Sequence, residues 1–274
     1  MADMALSYVA STDGTTLAVW RSGSGPPLVA VHGTTADHTR WARIAPLLDA
    51  RFSLYAMDRR GRGRSGDAAA YSIQREADDV AAVVRSAGER VTLLGHSYGA
   101  LCCLEAALQL PGLHRLIAYE PPLPIGGNLV RQETRRELEQ LLDREDREGA
   151  LLCFFREVVG VPDSELALLK DHPVWPARVA AAHTIMREAD EEADYGLDLS
   201  RFGGLRVPTL LMLGGDSPDY FGEAVTRLHA AIPGSRVHVM PGQQHIAMDT
   251  APDMFMDAVM TFALSESKED ELPA

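Results

Sequence analysis

Short runs of consecutive apolar residues alternate along this chain with longer stretches whose apolar residues recur every three or four positions. The short runs are residues 28–31 (LVAV), 53–57 (SLYAM), 91–94 (VTLL), 116–119 (LIAY), 208–213 (PTLLML) and 237–240 (VHVM). Each is of strand length and bounded by turn-forming or charged residues. Between them, residues 74–87 set Ala77, Val80, Val83 and Val84 on one helical side, and residues 100–110 (ALCCLEAALQL), 221–231 and 253–264 also read as helices. Continuous apolar strands separated by helices predict a parallel sheet covered on both faces, the α/β class.

The rhythm changes between residues 121 and 204. Residues 131–159 read as one long helix or two meeting near Gly149, and residues 162–195 as helix interrupted at Pro173 and Pro176. A helical block inside an alternating pattern predicts an insertion on one domain. The expected division is a core of residues 1–120 and 205–264, a helical cap of residues 121–204, and a flexible acidic tail of residues 265–274. The 274 residues suit one large domain with such an insertion.

Bulk composition narrows the function classes. With 46% hydrophobic and 24% charged residues the chain is of ordinary globular type. Its net charge of -13 argues against a nucleic-acid partner, which needs clustered basic residues. No apolar run reaches the roughly 18 residues of a membrane span. The opening MADMALSYVASTDG lacks the basic and apolar regions of a signal peptide. Three cysteines, two of them adjacent on a predicted helix, suggest small apolar residues rather than a disulfide framework. The expected setting is the cytoplasm.

The most specific chemistry is Gly95-His96-Ser97-Tyr98-Gly99, set between a predicted strand and a predicted helix. That is the sequence form of a nucleophile elbow, a turn so sharp that only glycine fits on either side of the serine. A serine hydroxyl needs a base, and the base needs a group that orients it. His245 fits the first role, because it lies on the turn-rich loop Pro241-Gly242-Gln243-Gln244 that follows the last strand. The other histidines fall in the elbow itself, in early loops, or within helical, connecting or strand segments.

Taken together, His32-Gly33, Asp58-Arg59-Arg60-Gly61-Arg62-Gly63-Arg64-Ser65, the elbow and His245 resemble the α/β-hydrolase superfamily, over essentially residues 5–264. The resemblance implies an α/β-hydrolase fold, a mostly parallel sheet flanked by helices. It also implies an oxyanion hole made by the backbone N–H groups of Thr34 and Tyr98. The stretch from Asp58 to Ser65 looks like the family's structural D-x-R-G-x-G-x-S loop and carries no catalytic role for Asp58. Most members place the triad acid after the seventh strand. Here that loop reads Gly214-Gly215-Asp216-Ser217-Pro218-Asp219, with Ser217 where the aspartate is expected. A minority, such as the haloalkane-dehalogenase and luciferase-like branch, use a carboxylate after the sixth strand, where this chain has Glu120. Glu120 is the favoured acid; Asp216, and then Asp219, are the alternatives.

A serine nucleophile points away from the alkyl-enzyme chemistry of dehalogenases and epoxide hydrolases and toward an acyl-enzyme. The expected activity is hydrolysis of a carboxylic ester, thioester or lactone of a small-molecule substrate. Carbon–carbon bond hydrolysis, perhydrolysis, and a non-hydrolytic ligand-binding or cyclising role are the alternatives. Trp41, Phe154, Phe155 and Trp175 are candidate substrate contacts. No metal-ligand spacing, phosphate loop or dinucleotide fingerprint is visible, so no metal and no cofactor are expected. The sequence says nothing of oligomeric state.

Overall fold

The computed structural model describes residues 4–265, so the expected tail lies outside the described residues beyond Ser265. Eight strands form one sheet: β1 (Ala5–Ala10), β2 (Thr16–Gly23), β3 (Pro27–Val31), β4 (Ser53–Met57), β5 (Thr92–His96), β6 (Arg115–Tyr119), β7 (Thr209–Gly214) and β8 (Arg236–Met240), in the order β1-β2-β4-β3-β5-β6-β7-β8. The pairs from β4 to β8 are parallel, while β1–β2 and β2–β4 are antiparallel. The first two strands are absent from the sequence-based reading. Their signal was the Asp13-Gly14 pair between two β-rich runs, a hairpin turn with Gly14 at φ +85°.

Two apolar layers sandwich the sheet. One joins the inward sides of helices Ile73–Ala87, Tyr98–Ala107 and Asp219–Ala231. The other gathers Trp41, Ile44 and Phe52 with Phe255, Val259 and Phe262 of helix Pro252–Ala263. Strands β5 and β6 are buried at every residue, as strands covered on both faces must be.

Between β6 and β7 the chain is helical and has an apolar cluster of its own, which includes Leu138, Leu151, Phe155, Trp175 and Ile185. The break in its first part spans residues 144–146, just ahead of Gly149. Helix Gln132–Asp143 ends there, and Asp146 caps helix Arg147–Cys153 by accepting from Gly149 N–H at 2.9 Å. Pro176 does not interrupt a helix. It lies in the first turn of Trp175–Ala180, where a missing N–H costs nothing. Buried ion pairs fasten this segment to the loop after β4: Glu188 meets Arg59 at 2.8 Å and also pairs with Arg62. Arg59 and Arg62 share Glu76 as well, at 2.7 and 3.1 Å. Among the described residues no helix is long and apolar enough to cross a membrane. Cys102, Cys103 and Cys153 are buried free thiols.

Candidate active site

Strand register brings the candidate residues together. Strands β5 and β6 pair His96 with Tyr119, so Ser97 and Glu120 emerge side by side at adjoining strand ends. The Ser97 N–H donates to Tyr119 O at 2.8 Å, and the Glu120 N–H to Met212 O at 3.1 Å. Both residues sit at positive φ, +55° for Ser97 and +47° for Glu120. Side-chain-bearing residues adopt that region at a cost, typically where surrounding structure enforces it at functional sites.

The elbow leaves no room for side chains at its glycines. A Cβ at Gly95 would lie 2.5 Å from Ala100 Cα, and one at Gly99 would lie 2.3 Å from His32 O. Gly33 is pressed against the serine, its hypothetical Cβ 2.8 Å from Ser97 Cβ. This contact sets Thr34 beside the elbow. Tyr98 is the first residue of its helix, so its N–H is one of the donors that a helix cannot satisfy internally. Among the described residues neither Thr34 N–H nor Tyr98 N–H donates to another backbone carbonyl. The helix dipole places partial positive charge at the same point.

His245 and Glu120 meet directly, with Nδ1 2.5 Å from Oε2. The other carboxylate oxygen, Oε1, accepts from Gly214 N–H at 2.7 Å and from Ser217 Oγ at 2.6 Å. The residue standing at the common acid position therefore braces the glutamate instead of supplying the carboxylate. Asp216 and Asp219 are exposed, whereas Glu120 is fully buried. Asp219 opens the following helix. Neither alternative acid takes the place beside His245.

The loop that carries His245 is clamped from below. Tyr119 Oη donates to Gln244 O and accepts from Ala247 N–H, the latter at 3.2 Å. His96 Nε2 lies 2.9 Å from His245 O, which assigns the proton to Nε2. Burial, reinforced by the His245 and Arg40 charges, pushes the His96 pKa well down, so the ring is neutral. Phe221 stacks on the His245 imidazole at 4.6 Å between ring centres. Residue-type patterns gave no sign of these clamps, because each depends on a strand-end neighbour far away in sequence.

His32 shapes its own loop. Nδ1 is 2.9 Å from Gly33 O, and Nε2 accepts from Arg59 N–H at 3.0 Å. Asp58 is likewise committed. It accepts from Trp20 Nε1, from His38 N–H and Nδ1, and from Arg64 N–H, all at 2.7–3.0 Å. Asp37, His38 and Asp58 place potential ligand atoms within 4.8 Å of one another, but Asp58 has its oxygens engaged in this brace.

Ser97, Thr34, His96 and His245 line one cavity of about 20 Å³, together with Phe154, Phe155, Val159 and Leu169 of the helical segment. Two of the candidate substrate contacts lie elsewhere. Trp41 is 1% exposed and packs under the sheet with Leu28, Ala30 and Ile44. Trp175 stands behind Phe155, with its Nε1 donating to Glu148 at 3.1 Å. Aromatic character alone cannot separate a core ring from a wall ring. Sequence reading also missed two cationic side chains on the cavity wall, Arg40 and Arg178.

Comparison with known proteins agrees with this fold. The alpha/beta hydrolase family profile matches residues 28–258. The crystal structure of an alpha/beta hydrolase from Sphaerobacter thermophilus superposes with a TM-score of 0.81 at 35% identity, covering 93% of this chain and 99% of that one. A 2-(acetamidomethylene)succinate hydrolase of Mesorhizobium japonicum is 25% identical over 257 residues, 90% of this chain and 91% of that protein. A Mycobacterium tuberculosis protein named as a probable oxidoreductase is 38% identical over 117 residues, 40% of this chain, and the match spans only 20% of that protein's length. The matching profile and the full-length structural relative place the chain in the alpha/beta hydrolase family.

Proposed function

We propose that the protein is a serine hydrolase that cleaves a carboxylic ester, thioester or lactone through an acyl-enzyme on Ser97. The observation that carries this reading is the His245 Nδ1–Glu120 Oε2 contact beside a cavity that Ser97 also lines. With Nδ1 facing the carboxylate, Nε2 is the nitrogen left to serve the serine. In the first step Ser97 Oγ attacks the substrate carbonyl and passes its proton to His245 Nε2. The tetrahedral oxyanion is received by the Thr34 and Tyr98 N–H groups at the helix N-terminus. Collapse breaks the bond to the leaving group, which takes the proton from His245. Water, deprotonated by the same nitrogen, then releases the acid and restores Ser97. Glu120 keeps the imidazole oriented and stabilises its charged form.

The helical segment of residues 121–204 acts as a cap. The cavity has room for about one water-sized group, so a substrate enters by displacing cap side chains such as Phe154 and Phe155. The test is turnover of a short activated ester by wild type and Ser97→Ala. The substitution removes one hydroxyl from a half-buried position and is expected to lower kcat by about a thousandfold or more with the fold intact. Retention of more than about a tenth of the activity would overturn the reading.

A further inference from the structure

Two buried guanidinium groups share the cavity with Ser97. Arg40 comes from the turn His38–Trp41 after β3, and Arg178 from helix Trp175–Ala180 of the cap. Their exposures are 4% and 5%. Arg40 spends one nitrogen, Nη1, on Asp249 at 2.6 Å, while Nε and Nη2 have no hydrogen-bond partner. Arg178 makes no side-chain hydrogen bond or ion pair among the described residues. Its Nε is buried and unpartnered, and its neighbour is the Phe155 ring, 5.7 Å from the guanidinium carbon.

This arrangement is expensive for a resting protein. A buried cation without a bonded partner carries a desolvation cost, and here a second cation stands close by. Burial and the Arg40 charge push the Arg178 pKa down to about 10, toward the neutral form, against the weaker pull of Asp249 and Asp37. Arg178 still carries its proton at neutral pH. Asp249 is already paired with Arg40, and Asp37 acts on Arg178 without a hydrogen bond to it, so Arg178 has no bonded counter-ion, and the free N–H groups of both arginines border the space beside the reacting serine. The group that completes such a site is an anion with two acceptor oxygens, for which the planar fork of arginine is suited.

We propose that the substrate is an acidic acyl compound, a short-chain ester or thioester whose free carboxylate is bound by Arg178 and Arg40 while its carbonyl meets Ser97. The proposal rests on the serine-hydrolase reading and adds the substrate class. Because Arg40, Arg178 and Ser97 line the same small cavity, the carbon chain between carboxylate and carbonyl is a short one.

Monoethyl succinate and ethyl valerate differ mainly in that the first ends in a carboxylate and the second in an ethyl group. Their kcat/KM values, read by ethanol release, are expected to favour the succinate monoester by at least about tenfold in wild type, the worth of one charge-assisted hydrogen bond. Arg178→Leu is expected to reverse most of that preference, lowering the ratio by about tenfold or more. An equal loss on both esters would assign Arg178 a purely structural role and overturn the proposal. A second measurement is independent of turnover: calorimetric titration of monoethyl succinate into Ser97→Ala and into Ser97→Ala/Arg178→Leu. Binding to the first and its loss in the second support the site; no binding to the first, or equal binding to both, overturns it. If wild type hydrolyses ethyl valerate as well as or better than the acid, the substrate class fails and the serine chemistry stands. If neither ester turns over and Ser97 resists a serine-directed phosphonate, the hydrolase reading itself fails.

Discussion

The two walls of the cavity are finished to different degrees. On the sheet side, the Glu120 carboxylate has three partners, and His245 is held through its ring nitrogen, its main-chain carbonyl and one stacked face. On the cap side, Arg178 has no polar partner among the described residues, and Phe154 and Phe155 meet the cavity with bare rings. On the proposed reading, the contrast separates chemistry from recognition. Groups that must act at fixed distances are tied down before substrate arrives, which is how preorganised sites lower a barrier. The groups proposed to select the substrate, Arg178 on the cap and the free nitrogens of Arg40 after β3, are left for it to complete.

The largest effect expected on the sheet side is from His245→Ala, about a thousandfold or more in kcat. The Ser97→Ala/His245→Ala pair should be little worse than either alone, because the two act as a unit. Independent, multiplying losses in a steady-state assay would break this sheet-side wiring. Ser217→Ala is a milder probe. It removes one of two donors to Glu120 Oε1 and leaves Gly214 N–H, so kcat is expected to fall by about tenfold, near the value of one hydrogen bond to a charged group. KM should move little. A change confined to KM would place Ser217 in substrate binding instead.

On the cap side the expected effects are smaller and fall on KM. Phe155→Ala should raise KM several-fold and alter chain-length preference, with kcat on an acetate ester changed less. Trp41→Ala sharpens the comparison by contrast. It empties a core position below the sheet, so it should cost about 3–5 kcal/mol in a denaturation experiment and leave the chain-length profile unchanged. A shifted profile for Trp41→Ala would mean that the core ring reaches the substrate after all.

How much of this could be read from sequence depends on the range of the contacts. The parallel strands, the elbow and the flanking helices were legible, because each is written in a local period or a glycine that sterics demand. Ser97 and Glu120 stood out just past apolar runs, and His245 on the turn-rich loop that follows another. The antiparallel β1–β2 pair was missed although Asp13-Gly14 marked it. The bracing of Glu120 by Ser217, and the clamps from Tyr119 and His96, depend on which strand lies next to which. Strand order is not encoded in any single segment. Arg40 and Arg178 were invisible for a further reason: arginine is the commonest cation in this chain, and only burial distinguishes these two from surface charges such as Arg131.

The most direct test of the central claim is the rate at which a serine-directed phosphonate labels Ser97, followed by intact mass and peptide mapping in wild type, Glu120→Gln and Asp216→Asn. Labelling needs the same attack by Oγ and the same proton transfer to His245 as turnover does. One adduct on Ser97 is expected in wild type. Glu120→Gln should slow it by about a hundredfold or more, because an amide cannot support the imidazolium that forms, and Asp216→Asn should stay within about threefold of wild type, as expected for an exposed surface change. An adduct on another residue, or a slow Asp216→Asn beside a normal Glu120→Gln, would contradict the account.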